Sequence, residues 1–162
     1  MTQAELDILL REEVRQAIKE NLERDPLRIA LDGKLPYARE VATQVKYLQR
    51  ARRKLPRLYD ACCIIPPRAF EQSSSEDTAR CKGLSGSRVL DLTCGLGIDT
   101  LALAERFDHV VSLERDEVLA GRLLPFCRRR LLLGAVCNGS WNRKQQGIRL
   151  RPRGDAAELL LD

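Results

Sequence analysis

The stretch from Arg88 to Glu114 constrains this chain most. Arg88-Val89-Leu90-Asp91-Leu92 reads as a short buried strand, and Thr93-Cys94-Gly95-Leu96-Gly97 follows it as a tight glycine turn. Asp99 to Phe107 carries Leu101, Ala102 and Ala104 as the core of a helix, and His109-Val110-Val111-Ser112-Leu113 is a second strand closing on Glu114. Strand, glycine turn, helix and strand within about 27 residues make one βαβ unit, which predicts a parallel sheet with a right-handed crossover. The fold class expected is therefore α/β.

The run Asp91-Leu-Thr-Cys-Gly95-Leu-Gly97-Ile-Asp99 also carries the chemistry. Two glycines at the mouth of a parallel sheet let the backbone approach a ligand at no steric cost. Glu114 lies 17 residues after Gly97, at the tip of the next strand, where a carboxylate accepts hydrogen bonds from both hydroxyls of a ribose. A bare pair of glycines also fits a helix packed closely on a strand; the acid four residues before the first glycine and the acid on the second strand favour a nucleoside. A dinucleotide site calls for a third glycine where this chain has Thr100, and Asp91 and Asp99 place negative charge where two phosphates would be repelled. Carboxylates at that turn suit a ligand carrying an ammonium and a sulfonium, which is S-adenosylmethionine.

Upstream, the sequence reads as a small helical region over residues 1–55. Leu6, Leu10, Val14, Ile18 and Leu22 recur at helical spacing and predict one first helix. Asp25 before Pro26 caps a short second helix with Leu27, Ala30 and Leu31, and Pro36 opens a third with Ala38, Val41, Ala42, Val45 and Leu48 on one face until Pro56. That third helix ends in Lys46, Arg50, Arg52, Arg53, Lys54 and Arg57, interleaved with Tyr47 and Tyr59. Such a mixture suits phosphates and stacked bases, and equally suits cations placed on a helix C-terminus. Residues 56–86 read as a connector: Cys62 to Pro67 is apolar and extended, and Glu71 to Thr78 is a polar loop or a helix start. Ser73 with Glu76, or Ser74 with Asp77, matches a capping box.

After Glu114 the pattern weakens. Asp116 to about Leu133 reads as a helix damaged by Pro125, Ile148 to Leu150 as a third strand and Ala156 to Leu161 as a third helix. The net charge of +5 is concentrated here: residues 1–119 carry 19 Lys/Arg against 20 Asp/Glu, and the last 43 carry 9 against 3. A polyanion-binding face and a solvated helix face both account for it. Six cysteines without a C-x-x-C pair and a single histidine, His109, argue against zinc and for free thiols in a reducing compartment. No apolar run approaches the ~20 residues of a membrane span and no basic leader opens the chain, so the expected location is cytoplasmic, without membrane or metal.

Asp91-x-x-x-Gly95-x-Gly97 followed by Glu114 resembles motifs I and II of the class I S-adenosylmethionine-dependent methyltransferases. With Lys54-Leu-Pro56, Ile64-Ile-Pro66-Pro67 and Glu71 to Ala79, the chain is similar to a bacterial family of predicted RNA methyltransferases. Full-length members carry a C-terminal THUMP-like domain and are distant relatives of the RNA cap guanine-N2 methyltransferases. The resemblance implies a Rossmann-like domain over residues 87–162, incomplete at about three parallel strands and preceded by the helical region. It implies that Gly95 and Gly97 pass under the methionine part of S-adenosylmethionine, that Asp91 lies near its amino group and that Glu114 holds the ribose. Glu76 and Thr78 would line the pocket, or would simply cap a helix; Asp155 would receive the adenine amino group, or serve as an ordinary N-cap. RNA is the implied partner.

The Asp-Pro type motif that orients a base amino group for methyl transfer is missing, since Pro125 and Pro152 are the only prolines after Pro67. No catalytic residue is assigned on this ground. The expectation is a chain carrying the cofactor-binding half of a longer enzyme, self-associating through an exposed sheet edge, or alternatively a catalytically inactive nucleoside- or RNA-binding fragment.

Overall fold

A computed structural model describes residues 1–123 and 131–135. Its contacts divide the chain into two compact units, residues 1–77 and 78–162.

The first unit is helical. Helix α1 (Gln3–Leu9) starts in a capping box between Thr2 and Glu5, and α2 (Glu12–Glu20) follows after a break at Arg11. One continuous helix was expected. Four-residue spacing overshoots a helical turn by about 40° per step, so a straight helix would swing Ile18 about 120° away from Leu6. The break lets Leu6, Leu9, Val14 and Ile18 all be buried and leaves Leu10 exposed.

Helix α3 (Pro26–Ala30) is capped by Asp25, whose carboxylate accepts from the Leu27 amide at 2.9 Å. Its buried residue is Ile29, while Leu27 and Leu31, expected to form its face, are 74% and 85% exposed. Helix α4 (Ala38–Lys54) is the long element, burying Val41, Ala42, Val45, Leu48 and Ala51 as the spacing predicts.

Two short helices unforeseen in the sequence follow, α5 (Pro56–Asp60) and α6 (Pro67–Gln72), each with proline in its first turn. Between them Ile65 is fully buried. Gln44 of α4 brackets its backbone, the side-chain amide donating to the Ile65 carbonyl at 3.2 Å and accepting from its N–H at 2.8 Å. Helix α7 (Glu76–Cys81) begins just past both expected capping registers, because the Ser73 hydroxyl closes α6 on the Phe70 carbonyl instead.

The second unit holds the expected βαβ arrangement. Strands β1 (Gly86–Asp91) and β2 (Phe107–Glu114) run parallel on either side of helix α8 (Ile98–Ala104) in sequence, with Asp91 opposite Ser112. Helix α9 (Glu117–Leu123) is capped by Asp116, which accepts from the Leu119 amide at 3.1 Å. Strand β3 (Leu131–Ala135) pairs parallel to β2, giving a three-stranded sheet of order β1-β2-β3.

Two expectations are corrected here. The helix from Asp116 ends at Leu123 instead of Leu133, and Leu131 to Ala135 is the third strand. Pro125 stops the helix, and a short apolar run such as Leu131-Leu132-Leu133 suits a buried parallel strand as well as a helix. The strand expected at residues 148–150, the helix at 156–161 and Asp155 lie outside the described residues. Strand β1 is also less covered than expected. Val110 to Leu113 of β2 are buried in succession, as a central parallel strand requires, whereas Leu90 of β1 is 38% exposed.

Candidate functional site

The C-terminal ends of β1 and β2 converge on the glycine turn. Cys94 extends the ladder past β1, its amide donating to the Leu113 carbonyl at 3.0 Å. The chain then turns through Gly95 at φ 56° and Gly97 at φ 76°, both in the left-handed region that favours glycine, and enters α8. A Cβ on Gly95 would find a single neighbour within 4 Å, the Thr93 carbonyl oxygen at 3.9 Å. The turn thus presents bare backbone on an open side.

Glu114 and Gly95 are in direct contact. One Glu114 oxygen accepts from the Gly95 amide at 2.7 Å and the other from the Asp116 amide at 2.8 Å. The acid at the tip of β2 therefore holds the glycine turn on one side and the start of α9 on the other. Each carboxylate oxygen retains a second acceptor position.

Asp91 anchors the same turn from β1. One of its oxygens accepts from the Thr93 amide at 3.0 Å, an Asx turn, and the other accepts from the Thr100 hydroxyl. Thr100 is 1% exposed and sits at a junction: Ser112 donates to its oxygen at 3.1 Å and the Cys94 sulfur lies 3.3 Å away. Its single proton goes to Asp91, so the Cys94 thiol is the donor in that last contact. One buried hydroxyl joins β1, β2, the glycine turn and α8. The sequence offered Thr100 only as the place of a missing glycine; a threonine one turn into a helix after a glycine turn is the signal that could have found it.

Asp99, in the first turn of α8, forms an ion pair with Lys82 at 2.6 Å. Lys82 was not singled out in the sequence. Thr78 lies within α7 at the start of the second unit. Glu76 belongs to the first unit, where its buried carboxylate accepts from the Arg57 amide at 2.8 Å and faces the Arg57 Nε at 3.6 Å. It caps the first turn of α5, satisfying an amide that the helix itself leaves open. Asp155 is outside the described residues, and with β3 ending at Ala135 it no longer directly follows the third strand.

The basic end of α4 is engaged within its own unit. Arg50 grips both oxygens of Glu71, its guanidinium lying 5.3 Å from the Tyr47 ring centre and 5.0 Å from that of Phe70. The bond from Arg50 holds the Glu71 carboxyl below its ordinary range, and Glu71 raises the pKa of Arg50 in return. Lys54 donates to the Phe70 carbonyl at 2.7 Å over the same ring, and Arg52 lies 5.8 Å from the Tyr59 ring centre. Of the two sequence readings, cations near a helix C-terminus describes these contacts better; they brace α6 and cover Tyr47.

Among the described residues no helix is long and apolar enough to cross a membrane, and no group of three or more His, Cys, Asp or Glu could hold a metal ion. No family model and no curated protein matches the chain. Among solved structures, it is similar to the crystal structure of a "putative methyltransferase from Porphyromonas gingivalis W83", with 28% sequence identity and a TM-score of 0.60. The two share a fold. The likeness covers 76% of this chain and 34% of that one, so the chain spans about a third of its neighbour's length.

Proposed function

We propose that this chain carries the S-adenosylmethionine-binding part of a methyltransferase with a Rossmann-like domain. The observation that supports the reading most is the contact between Glu114 and the Gly95 amide. An acid able to take a ribose diol and an open glycine turn able to lie under a ligand meet at the mouth of one parallel sheet, where ligands of such sheets bind. The neighbour's description as a methyltransferase points the same way.

The residues present fit that cofactor. Gly95 and Gly97 offer backbone without side chains, Glu114 offers two oxygens with acceptor capacity, and Asp91 and Asp99 disfavour phosphate in favour of cationic groups. When bound, S-adenosylmethionine supplies a sulfonium methyl that passes to a nucleophile as the thioether leaves. The roles proposed for this chain are to hold the ribose at Glu114, to shape the turn through Asp91 and Thr100, and to favour the ligand's cations at Asp99. The acceptor class, RNA, rests on the sequence resemblance alone. A cytoplasmic location and self-association through the sheet edge are proposals of the same standing.

Isothermal titration of the 162-residue chain with S-adenosylmethionine and S-adenosylhomocysteine tests the reading. Saturable heat with one site per chain, together with a raised melting temperature, is expected. Absence of heat and an unchanged melt under excess ligand would sink it. Cofactor binding without methyl transfer to bulk RNA would favour the inactive nucleoside-binding alternative.

A further inference from the structure

The pair formed by Lys82 and Asp99 is not used by the roles above. We propose that it recognises a zwitterionic α-amino acid group, with the ligand ammonium at Asp99 and the ligand carboxylate at Lys82. This inference rests on the S-adenosylmethionine reading and adds to it a residue that selects for an intact amino acid moiety.

Three observations carry it. The Lys82 ammonium and the Asp99 carboxylate are 2.6 Å apart, and their side chains are 44% and 31% exposed, so each charge keeps a side open to a second partner. Asp99 is the second residue of α8, two positions after Gly97 at φ 76°, and so stands at the exit of the turn that bares its backbone at Gly95. The acids gathered around that turn, Asp91, Asp99 and Glu114, favour an ammonium but repel a carboxylate. A ligand bearing both charges needs a cation beside them, and Lys82 is already seated on one of these acids.

The electrostatics fit docking without rupture. An exposed ion pair of this kind contributes little to folding, and breaking it to admit a single charge would strand the other partner. A zwitterion instead places its ammonium against Asp99 and its carboxylate against Lys82. Every charge then has two opposite neighbours, and the ion pair survives binding. Lys82 would act as a specificity residue, touching the ligand without entering any bond change.

The test compares two ligands that differ in the amino acid part, S-adenosylhomocysteine and 5′-methylthioadenosine, on the full chain by calorimetry. Lys82→Met is expected to weaken S-adenosylhomocysteine about tenfold or more, to leave 5′-methylthioadenosine unchanged, and to be largely rescued by Lys82→Arg. A loss shared equally by both ligands would mark Lys82 as a structural brace and overturn the inference, as would unchanged S-adenosylhomocysteine affinity. Should Lys82→Met not fold, the wild-type chain reads the same contact from the ligand side. Decarboxylated S-adenosylhomocysteine should then bind about tenfold more weakly than the parent, and equal affinity refutes the assignment. Failure of the wild-type chain to bind any of these nucleosides overturns the cofactor reading itself and this inference with it. Binding of 5′-methylthioadenosine with no gain from the amino acid group overturns the inference alone.

Discussion

Glu114 at the tip of β2 accepts the Gly95 amide at 2.7 Å, tying the glycine turn to the neighbouring strand. Replacing it with glutamine leaves one oxygen for two amides, those of Gly95 and Asp116, and turns an NH2 group toward the other. Glu114→Gln should destabilise the second unit by about 1–3 kcal/mol. Amide exchange measured by NMR should accelerate at Gly95 and Asp116, and an unchanged Gly95 rate would show that the bond does not hold the turn.

Thr100→Val keeps the shape of the side chain and removes its hydroxyl. Asp91 then loses a donor, and Ser112 and Cys94 lose their acceptor, all in a buried setting. A loss of about 1–3 kcal/mol is expected in urea unfolding followed by circular dichroism, with Thr100→Ser recovering most of it. Equal stability of Val and Thr chains would contradict the junction described for this residue.

Cys62 occupies the position where helices commonly end on glycine. Its φ is 47°, its amide donates to the Tyr59 carbonyl at 2.8 Å and the Cys63 amide donates to the Leu58 carbonyl at 2.9 Å, which is a Schellman ending for α5. Cys62→Gly should relieve the left-handed strain and stabilise the first unit by about 1 kcal/mol, less glycine's greater entropy in the unfolded chain. Cys62→Ala should be near neutral. Thermal melts of the three chains decide between these outcomes, and a destabilised glycine variant would mean that the thiol itself carries the turn.

Acid should loosen the first unit through Glu71. Arg50 holds its carboxyl below the unfolded-state value of about 4.3, so its contribution is complete above that pH and is lost as pH falls through the lower folded-state pKa. Glu71→Gln should be less stable than wild type at pH 7, and the gap should close in that acid window. A constant difference between the two chains from pH 7 to pH 3 would show that the pair does not titrate as described.

The βαβ unit was readable because its signals are local: two strand-type runs, a glycine pair that permits positive φ, and helical spacing between them. The contact of Gly95 with Glu114 follows from topology once the strands are parallel, which is why a spacing of 17 residues was informative. Lys82 and Ser112 gave no such signal, since their partners Asp99 and Thr100 come together only through tertiary packing. Helices α5 and α6, five and six residues long, are too short to show a period, and their prolines read as stops when they are first-turn residues. The break at Arg11 has no glycine or proline to announce it and comes from the rotation of the apolar stripe around α1 and α2.

The way Arg50 lies across Tyr47 and Phe70 while gripping Glu71 has a consequence for mapping any nucleic-acid contact. An alanine scan along α4 would score Arg50 and Lys54 as binding residues simply because α6 comes loose when they are cut. Charge-preserving exchange separates the two causes. Lysine at position 50 keeps the positive charge that a phosphate would sense, but it cannot reproduce the forked, stacked grip of a guanidinium, so loss of binding in that variant would report on architecture.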